Sequence, residues 1–165
     1  MSKRDYLFSS CCLLAFTHPC YAIEDPKAMH FAVLQGAGAG VIQTANGGPS
    51  PGISLYFSLQ AEKATGKGFF LDTCGVGLFD VGQGIVALGL QKTQRKRNVF
   101  SGLGYGVGLL GRDDFNKSTQ HEPGGYVKAF AGIQAGSLLF HITALGILGT
   151  HDPAGGVVVG AGIRF

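Results

Sequence analysis

The chain has 165 residues, a formal net charge of +3 and four cysteines. A charge this close to neutral gives no indication of a nucleic-acid partner. Three of the cysteines (Cys11, Cys12 and Cys20) lie near the N-terminus, which leaves Cys74 alone in the rest of the chain and excludes a disulfide framework or a multi-cysteine zinc site there. The 28 glycines and 45% apolar residues fit neither a helical nor a disordered chain. Glycine inside alternating segments instead favours a β-barrel.

The first 22 residues have the pattern of a secretory signal peptide. Lys3 and Arg4 precede an apolar run over 6–16. The helix breaker Pro19 follows, and the small residues Cys20 and Ala22 then form a cleavage-site pattern. An N-terminal membrane anchor would need about 20 apolar residues, and Cys20 follows a proline where a lipoprotein signal needs a small residue. We therefore expect a signal peptide over 1–22, cleaved after Ala22, and a barrel domain over 23–165.

The mature part alternates apolar and small or polar residues with period two, which predicts β-strands. No apolar run reaches the 18 residues of a transmembrane helix, whereas the segments match the roughly 9–11 residues of a tilted membrane strand. The predicted fold is an all-β, antiparallel, up-and-down transmembrane β-barrel of about eight strands. The segments are 29–43, 53–61, 69–79, 84–92, 98–110, 124–134, 137–148 and 155–165.

Alternation also predicts which side chains face outward. Between Val99 and Leu109 one face is bulky and the other carries four alternate glycines, which suits a narrow barrel interior. Asp72 shares its face with Phe70, Cys74 and other large residues, and we expect that face to point outward. Because a charge on the lipid face costs about 2–4 kcal/mol at mid-depth, Asp72 is then expected near an interface.

An even strand number puts both termini on the periplasmic side of an outer membrane. The connections 44–52, 80–83, 112–123 and 150–154 then face the exterior. Aromatic residues fall near the strand ends, as aromatic girdles require. The expected periplasmic girdle is Phe31, Phe69, Phe70, Phe100, Phe140 and Phe165, and the expected outer girdle is Tyr56, Phe57, Phe79 and Tyr126.

The C-terminal strand resembles that of the small eight-stranded outer-membrane proteins of Gram-negative bacteria, the OmpX and OmpA-barrel type. The matching positions are Val157, Val159, Ala161, Ile163 and the terminal Phe165, although the family often has Tyr at the position of Ile163. The resemblance implies an outer-membrane location, contact with lipopolysaccharide, and recognition of Val159, Ala161, Ile163 and Phe165 by the barrel-assembly machinery as an assembly signal. The chain lacks Trp, which is unusual for this family.

Barrels of this architecture include lipid A-modifying enzymes, so candidate catalytic residues were sought. His141 and Thr143 have the spacing of the His and Ser of the lipid A deacylase type, but Thr replaces Ser, no acid is placed to orient His141, and strand parity points both into the lumen. Ser118, His121 and Glu122 share the 112–123 segment, as a palmitoyltransferase-like site would require. A polar lumen pair and a solvated loop are the favoured interpretations.

The remaining histidine and charged residues predict no cofactor-binding site. His151-Asp152 with His121 is weak evidence for a metal site, and none is expected. The basic cluster Lys92, Arg95, Lys96 and Arg97 is expected at a periplasmic turn, as a solvated turn or as a site for anionic lipid head groups, peptidoglycan or periplasmic partners.

The favoured function is a structural or surface-interaction barrel whose outer loops meet a host, phage or lipopolysaccharide ligand. A lipid A-modifying enzyme is the alternative. A narrow channel is a further alternative: side chains just fill an eight-stranded interior, which disfavours it, but the glycine-rich lumen expected here keeps it open. A soluble lipocalin-type barrel would not end on a terminal Phe.

Overall fold

The computed structural model describes residues 28–43, 49–78, 81–114, 117–150 and 153–165, so the predicted signal peptide lies outside the described residues. Among them no helix is long and apolar enough to cross a membrane. The predicted all-β fold of eight antiparallel strands is confirmed. The strands are β1 Met29–Gln43, β2 Pro49–Lys63, β3 Lys67–Leu78, β4 Val81–Lys96, β5 Val99–Asp114, β6 Lys117–Ala135, β7 Leu138–Leu148 and β8 Ala154–Arg164.

The sheet is a closed barrel, because each strand pairs with the next and β8 pairs back with β1. At the seam, the amide of Phe31 donates to the carbonyl of Phe165 at 3.2 Å, and the amide of Phe165 donates to the carbonyl of Phe31 at 2.8 Å. Tight turns at 64–66, 97–98 and 136–137 lie at the same end of the barrel as the start of β1 and the end of β8. We call this end periplasmic, since short turns mark that side of outer-membrane barrels.

The outer wall of the barrel is apolar, which is the reverse of a soluble protein. Alternate side chains of every strand face outward, and the exposed ones are mostly Leu, Val, Ile and Phe, such as Leu55, Leu88 and Val159. Buried polar side chains instead line the interior. A closed sheet with an apolar outside satisfies its backbone hydrogen bonds within itself and is suited to span a membrane.

The predicted aromatic girdles are correct only in part. Phe31, Phe69, Phe140 and Phe165 are exposed on the outer wall near its periplasmic end, as predicted. The expectation is wrong for four other aromatics, which are buried inside the barrel: Phe70, Phe100, Tyr56 and Tyr126. Phe57 faces outward, and Phe79 lies outside the described residues. Strand parity was wrong for the four buried aromatic residues, and Tyr56 and Tyr126 also lie near the middle of the barrel, where both bond Asp72, and not at its outer interface.

Several strands are longer than predicted. β6 has 19 residues, so the expected 112–123 loop is wrong for most of its length: 112–114 belong to β5 and 117–123 to β6, and 115–116 lie outside the described residues. The pairing of β7 with β6 begins at Gly125, opposite Leu148. Residues 117–124 of β6 pair with β5 and extend past this point on the outer side. The outer end of the β5–β6 hairpin therefore extends past β7, whereas on its other side β5 stays paired with β4 as far as Val81 opposite Asp114.

Candidate functional site

The centre of the lumen is organised around one carboxylate. Asp72, midway along β3, is 1% exposed. Its Oδ1 accepts a hydrogen bond from Ser58 at 2.6 Å, and its Oδ2 accepts bonds from the hydroxyls of Tyr56 at 3.2 Å and Tyr126 at 2.9 Å. Lys128 Nζ lies 3.0 Å from Oδ2 and 3.1 Å from Oδ1. These five residues, here called the Asp72 network, join β2, β3 and β6 across the lumen.

The ammonium group of the Asp72 network is held by aromatic rings as well as by the carboxylate. Lys128 Nζ lies 3.8 Å from the ring centre of Phe70 and 5.6 Å from that of Phe130. A cation over a ring face is attracted by the negative centre of the π-system. Ion pairing and ring contact together offset part of the cost of removing the ammonium group from water.

The expectation that Asp72 faces outward is wrong. Asp72 points into the lumen with the rest of its face, including Phe70, Cys74 and Val76. Leu71, on the opposite face, is 43% exposed. The face with larger residues was assigned to lipid, but this lumen is itself packed with large side chains. The charge was the better signal, since a lipid-facing carboxylate is costly and Lys128 supplies a partner.

A second polar cluster occupies the periplasmic end of the lumen. Glu62 accepts a hydrogen bond from the Thr93 hydroxyl at 2.5 Å and pairs with Arg95 Nε at 3.1 Å. Arg95 also donates to the side chain of Gln134 at 3.0 Å and lies 5.3 Å from the ring centre of Phe100. The only part of the predicted basic cluster that enters the lumen is thus Arg95, and it acts there as an ion-pair partner.

The outer half of the lumen is filled by apolar side chains. One side chain from each of β3, β4, β5, β7 and β8 is at most 3% exposed there: Val76, Ile85, Leu110, Ile147 and Val158. Together with the buried Ser54 and Gln83 at the level of Val76 and the polar clusters below, they pack the described part of the lumen, as expected when only eight strands enclose it. The described lumen is a packed core and not an open passage.

His141 and Thr143 face the lumen, as strand parity predicted. His141 Nδ1 lies 2.9 Å from Thr143 Oγ1, and Nε2 lies 3.2 Å from the carbonyl oxygen of Gln35. A backbone carbonyl only accepts, so Nε2 carries a proton, and in the neutral ring Nδ1 accepts from Thr143. The His141 ring also packs edge-on against Tyr56, 6.0 Å away. The pair is buried, and a backbone carbonyl takes the place of the acid that would orient a catalytic His.

The other candidate residues lie at the outer end. His121 is exposed on β6 opposite Gly111, and Glu122 follows it. The backbone of Ser118 belongs to β6, but its side chain lies outside the described part of the structure, as do His151 and Asp152. In the described ranges, no group of three or more His, Cys, Asp or Glu side chains is placed to hold a metal ion.

The rest of the basic cluster lies at the periplasmic end. Lys92 and Lys96 are exposed on β4, and Arg97 is in the following turn with a left-handed φ of 55°. A fourth basic residue joins them from a neighbouring strand, because Lys92 is the register partner of Lys67 of β3. Chain order alone did not reveal this cationic surface.

Comparison with protein-family models and with curated protein sequences finds no match. Solved structures are similar. Neisserial surface protein A has a TM-score of 0.61 at 13% identity, over 84% of this chain and 100% of that one. Ail, the attachment invasion locus protein of Yersinia pestis, has a TM-score of 0.56 at 14% identity, over 84% and 99%. The outer membrane protein OprG of Pseudomonas aeruginosa has a TM-score of 0.58 at 14% identity, over 87% and 99%.

The fold, the apolar outer wall and the buried polar clusters of the lumen define a small eight-stranded barrel of the outer-membrane class. The resemblance inferred from the C-terminal strand is confirmed at the level of this class. Sequence identities of 13–14% establish the shared fold alone.

Proposed function

We propose that this protein is a surface-interaction barrel that binds its ligand through the outer end of the β5–β6 hairpin, which extends past β7. The observation that carries the proposal is the length of β6. Its 19 residues exceed the roughly 9–11 needed to cross the membrane, whereas β7 and β8 have 11 each. The additional residues lie past Gly125, at the end opposite the termini.

The filled lumen supports an interaction role over transport. A channel needs a continuous path, and the Asp72 network and the apolar side chains of the outer half both occupy that path. Displacing Lys128 from Asp72 would deprive each of these two buried charges of its ion-pair partner, which is strongly unfavourable.

The position of His141 argues against an enzyme that acts on membrane lipid. A lipid substrate approaches the outer wall, whereas His141 and Thr143 are 3% and 1% exposed and face inward. Two of the similar barrels carry the descriptions surface protein and attachment invasion locus protein, which agrees with an interaction role without specifying a ligand.

A shortened hairpin tests the proposal. Replacing 111–121 by Asn-Gly joins the register partners Leu110 and Glu122 through a two-residue turn and removes the outer end of the hairpin, including the part of β5 that pairs with 81–84 of β4. The matched control replaces only 115–116 by Asn-Gly and keeps the full hairpin. Bacteria producing each form are applied to epithelial monolayers and to vesicles containing lipopolysaccharide.

We expect the full-length form and the control to bind at least one of these surfaces, and the shortened form to lose most of that binding. Heat-modifiable gel migration establishes that all three barrels fold. Equal binding by the shortened form, binding by none of the forms, or stable conductance steps in planar bilayers would contradict the proposal.

A further inference from the structure

Three lysines form a row on the outer wall at its periplasmic end. Lys63 ends β2 and Lys67 begins β3, on either side of the 64–66 turn, and Lys67 pairs directly with Lys92 of β4. All three are exposed and share the outward parity of the lipid-facing residues. We call these residues the lysine row.

The arrangement of the lysine row is unfavourable by itself. Directly paired residues place their Cβ atoms about 4.5–5.5 Å apart, and like charges at that distance repel. The nearby acid, Glu62, points inward and pairs with Arg95. Within the described residues, no carboxylate is in ion-pair contact with the lysine row. An anion outside the protein would relieve this repulsion.

An apolar groove lies beside the lysine row. Ala61 of β2 is flanked in register by Phe31 of β1 and Phe69 of β3, which are 56% and 62% exposed. Leu59 and Leu71 continue the groove toward mid-membrane, and its volume is about 300 Å³. The small side chain of Ala61 between two rings leaves a depression as wide as one strand.

The groove and the lysine row are adjacent along the same strands. Ala61 is two residues from Lys63, and Phe69 is two residues from Lys67, a separation of about 7 Å along a strand. An amphiphile can therefore place an anionic head group on the lysines and an alkyl chain between the rings at once.

We propose that this surface binds an anionic phospholipid of the periplasmic leaflet, with its phosphate on Lys63, Lys67 and Lys92 and one acyl chain over Ala61. Basic residues at the membrane interface attract anionic head groups. The proposal is independent of the proposed ligand of the β5–β6 hairpin, since the two surfaces lie at opposite ends of the barrel.

Two observations favour phospholipid over other anions. Lipopolysaccharide occupies the outer leaflet, whereas the lysine row lies at the end that carries the termini and tight turns. A soluble periplasmic anion would need no apolar contact, yet Phe31, Ala61 and Phe69 adjoin the lysines directly.

The test measures lipid selectivity of the folded mature barrel in phosphatidylcholine vesicles. Spin-labelled phosphatidylglycerol and spin-labelled phosphatidylcholine are added separately, and the motionally restricted fraction gives their relative association with the protein. We expect about a five-fold or greater preference for phosphatidylglycerol at low salt, which decreases as salt screens the charges.

Two variants separate the parts of the site. Lys63→Gln, Lys67→Gln and Lys92→Gln together should bring the preference close to one. Lys96→Gln, Arg97→Gln and Lys117→Gln remove the same charge elsewhere and should leave most of it. Ala61→Phe should reduce the preference at least two-fold by filling the groove, whereas the lipid-facing control Ala129→Phe should not.

Retained preference in the lysine-row variant would overturn the proposal. So would an effect of Ala61→Phe no larger than that of Ala129→Phe, which would indicate attraction by charge alone. Equal association of both labelled lipids, with lysine-dependent binding of soluble peptidoglycan fragments instead, would assign the row to a periplasmic partner. Heat-modifiable migration of every variant shows that the barrel is intact.

Discussion

Phe31 and Phe165 exchange both of their backbone hydrogen bonds, so the last residue of the chain forms the last rung of the β1–β8 seam. The side chains of both residues point outward at the periplasmic end, with Phe165 69% exposed. Phe165 therefore contributes to closure of the barrel through its backbone and to the aromatic girdle through its side chain.

Deleting Phe165, or changing it to Asp, is expected to reduce outer-membrane insertion strongly while export continues. Deletion removes the final rung, and a carboxylate at this exposed site disrupts the apolar terminal row that we propose the assembly machinery recognises. The amount of heat-modifiable protein in the outer-membrane fraction measures the effect, and Phe165→Tyr serves as the conservative control. Normal insertion of the Asp variant would refute the assembly-signal prediction.

Gly160→Ala is expected to destabilise the barrel by about 1–3 kcal/mol, typical of overpacking. Gly160 pairs with Gly36 at the seam, where an added Cβ would overlap the carbonyl oxygen of Gln35. Gly75→Ala is the matched control, because nothing lies within 4 Å of a Cβ there. Urea unfolding in vesicles compares the two, and equal stability of both variants would argue against steric limits at the seam.

Asp72→Ala is expected to lower the free energy of unfolding by about 3–5 kcal/mol, because it leaves the Lys128 ammonium buried without its carboxylate. The double variant Asp72→Leu, Lys128→Met removes both charges and should lose less than the single variant. Urea titration of both forms measures the difference. A double variant less stable than Asp72→Ala would show that the ion pair itself is not the dominant interaction.

The mature protein is expected to begin at Ile23, since Ala22 closes the signal-peptide pattern. N-terminal sequencing of protein from the outer-membrane fraction checks this. A chain that retains Met1, or that starts beyond Lys27, would contradict the prediction.

Alanine at His141, Thr143, Ser118 or His121 is expected to leave lipid A unchanged. Ester cleavage needs a nucleophile, a base and a group that orients the base, all within reach of the substrate. His141 and Thr143 are buried in the lumen, whereas His121 is exposed near the outer end. Mass spectrometry of lipid A from cells with and without each form decides the matter. A gained or lost acyl chain that depends on any of these residues would make the protein an enzyme.

Strand number and order were predictable because alternation marks each strand independently of its neighbours. In β5 the contrast between Leu103 or Val107 and the intervening glycines also gave the correct faces. In β3 it did not, because Phe70 and Val76 inside are as large and apolar as Leu71 outside. Residue size is therefore a weak guide to parity when the lumen is filled.

The partners within each cluster were not predictable for a different reason. The direct contacts of the Asp72 network join residues up to 56 positions apart, and the lysine row combines residues from three strands. Both depend on strand register, which alternation leaves undetermined. The sequence signal that could have revealed the Asp72 network is the presence of two opposite charges, Asp72 and Lys128, in the middle of strands, since each needs a partner inside the barrel.

The filled lumen makes the barrel a suitable scaffold for peptide display. Its cross-bracing comes from side chains such as Asp72 and Lys128, well below the tip of the β5–β6 hairpin. A foreign peptide grafted between Asp114 and Lys117 would leave those bracing contacts in place. The barrel would then present the grafted peptide to the cell exterior, while the contacts that make the barrel rigid remain inside the lumen.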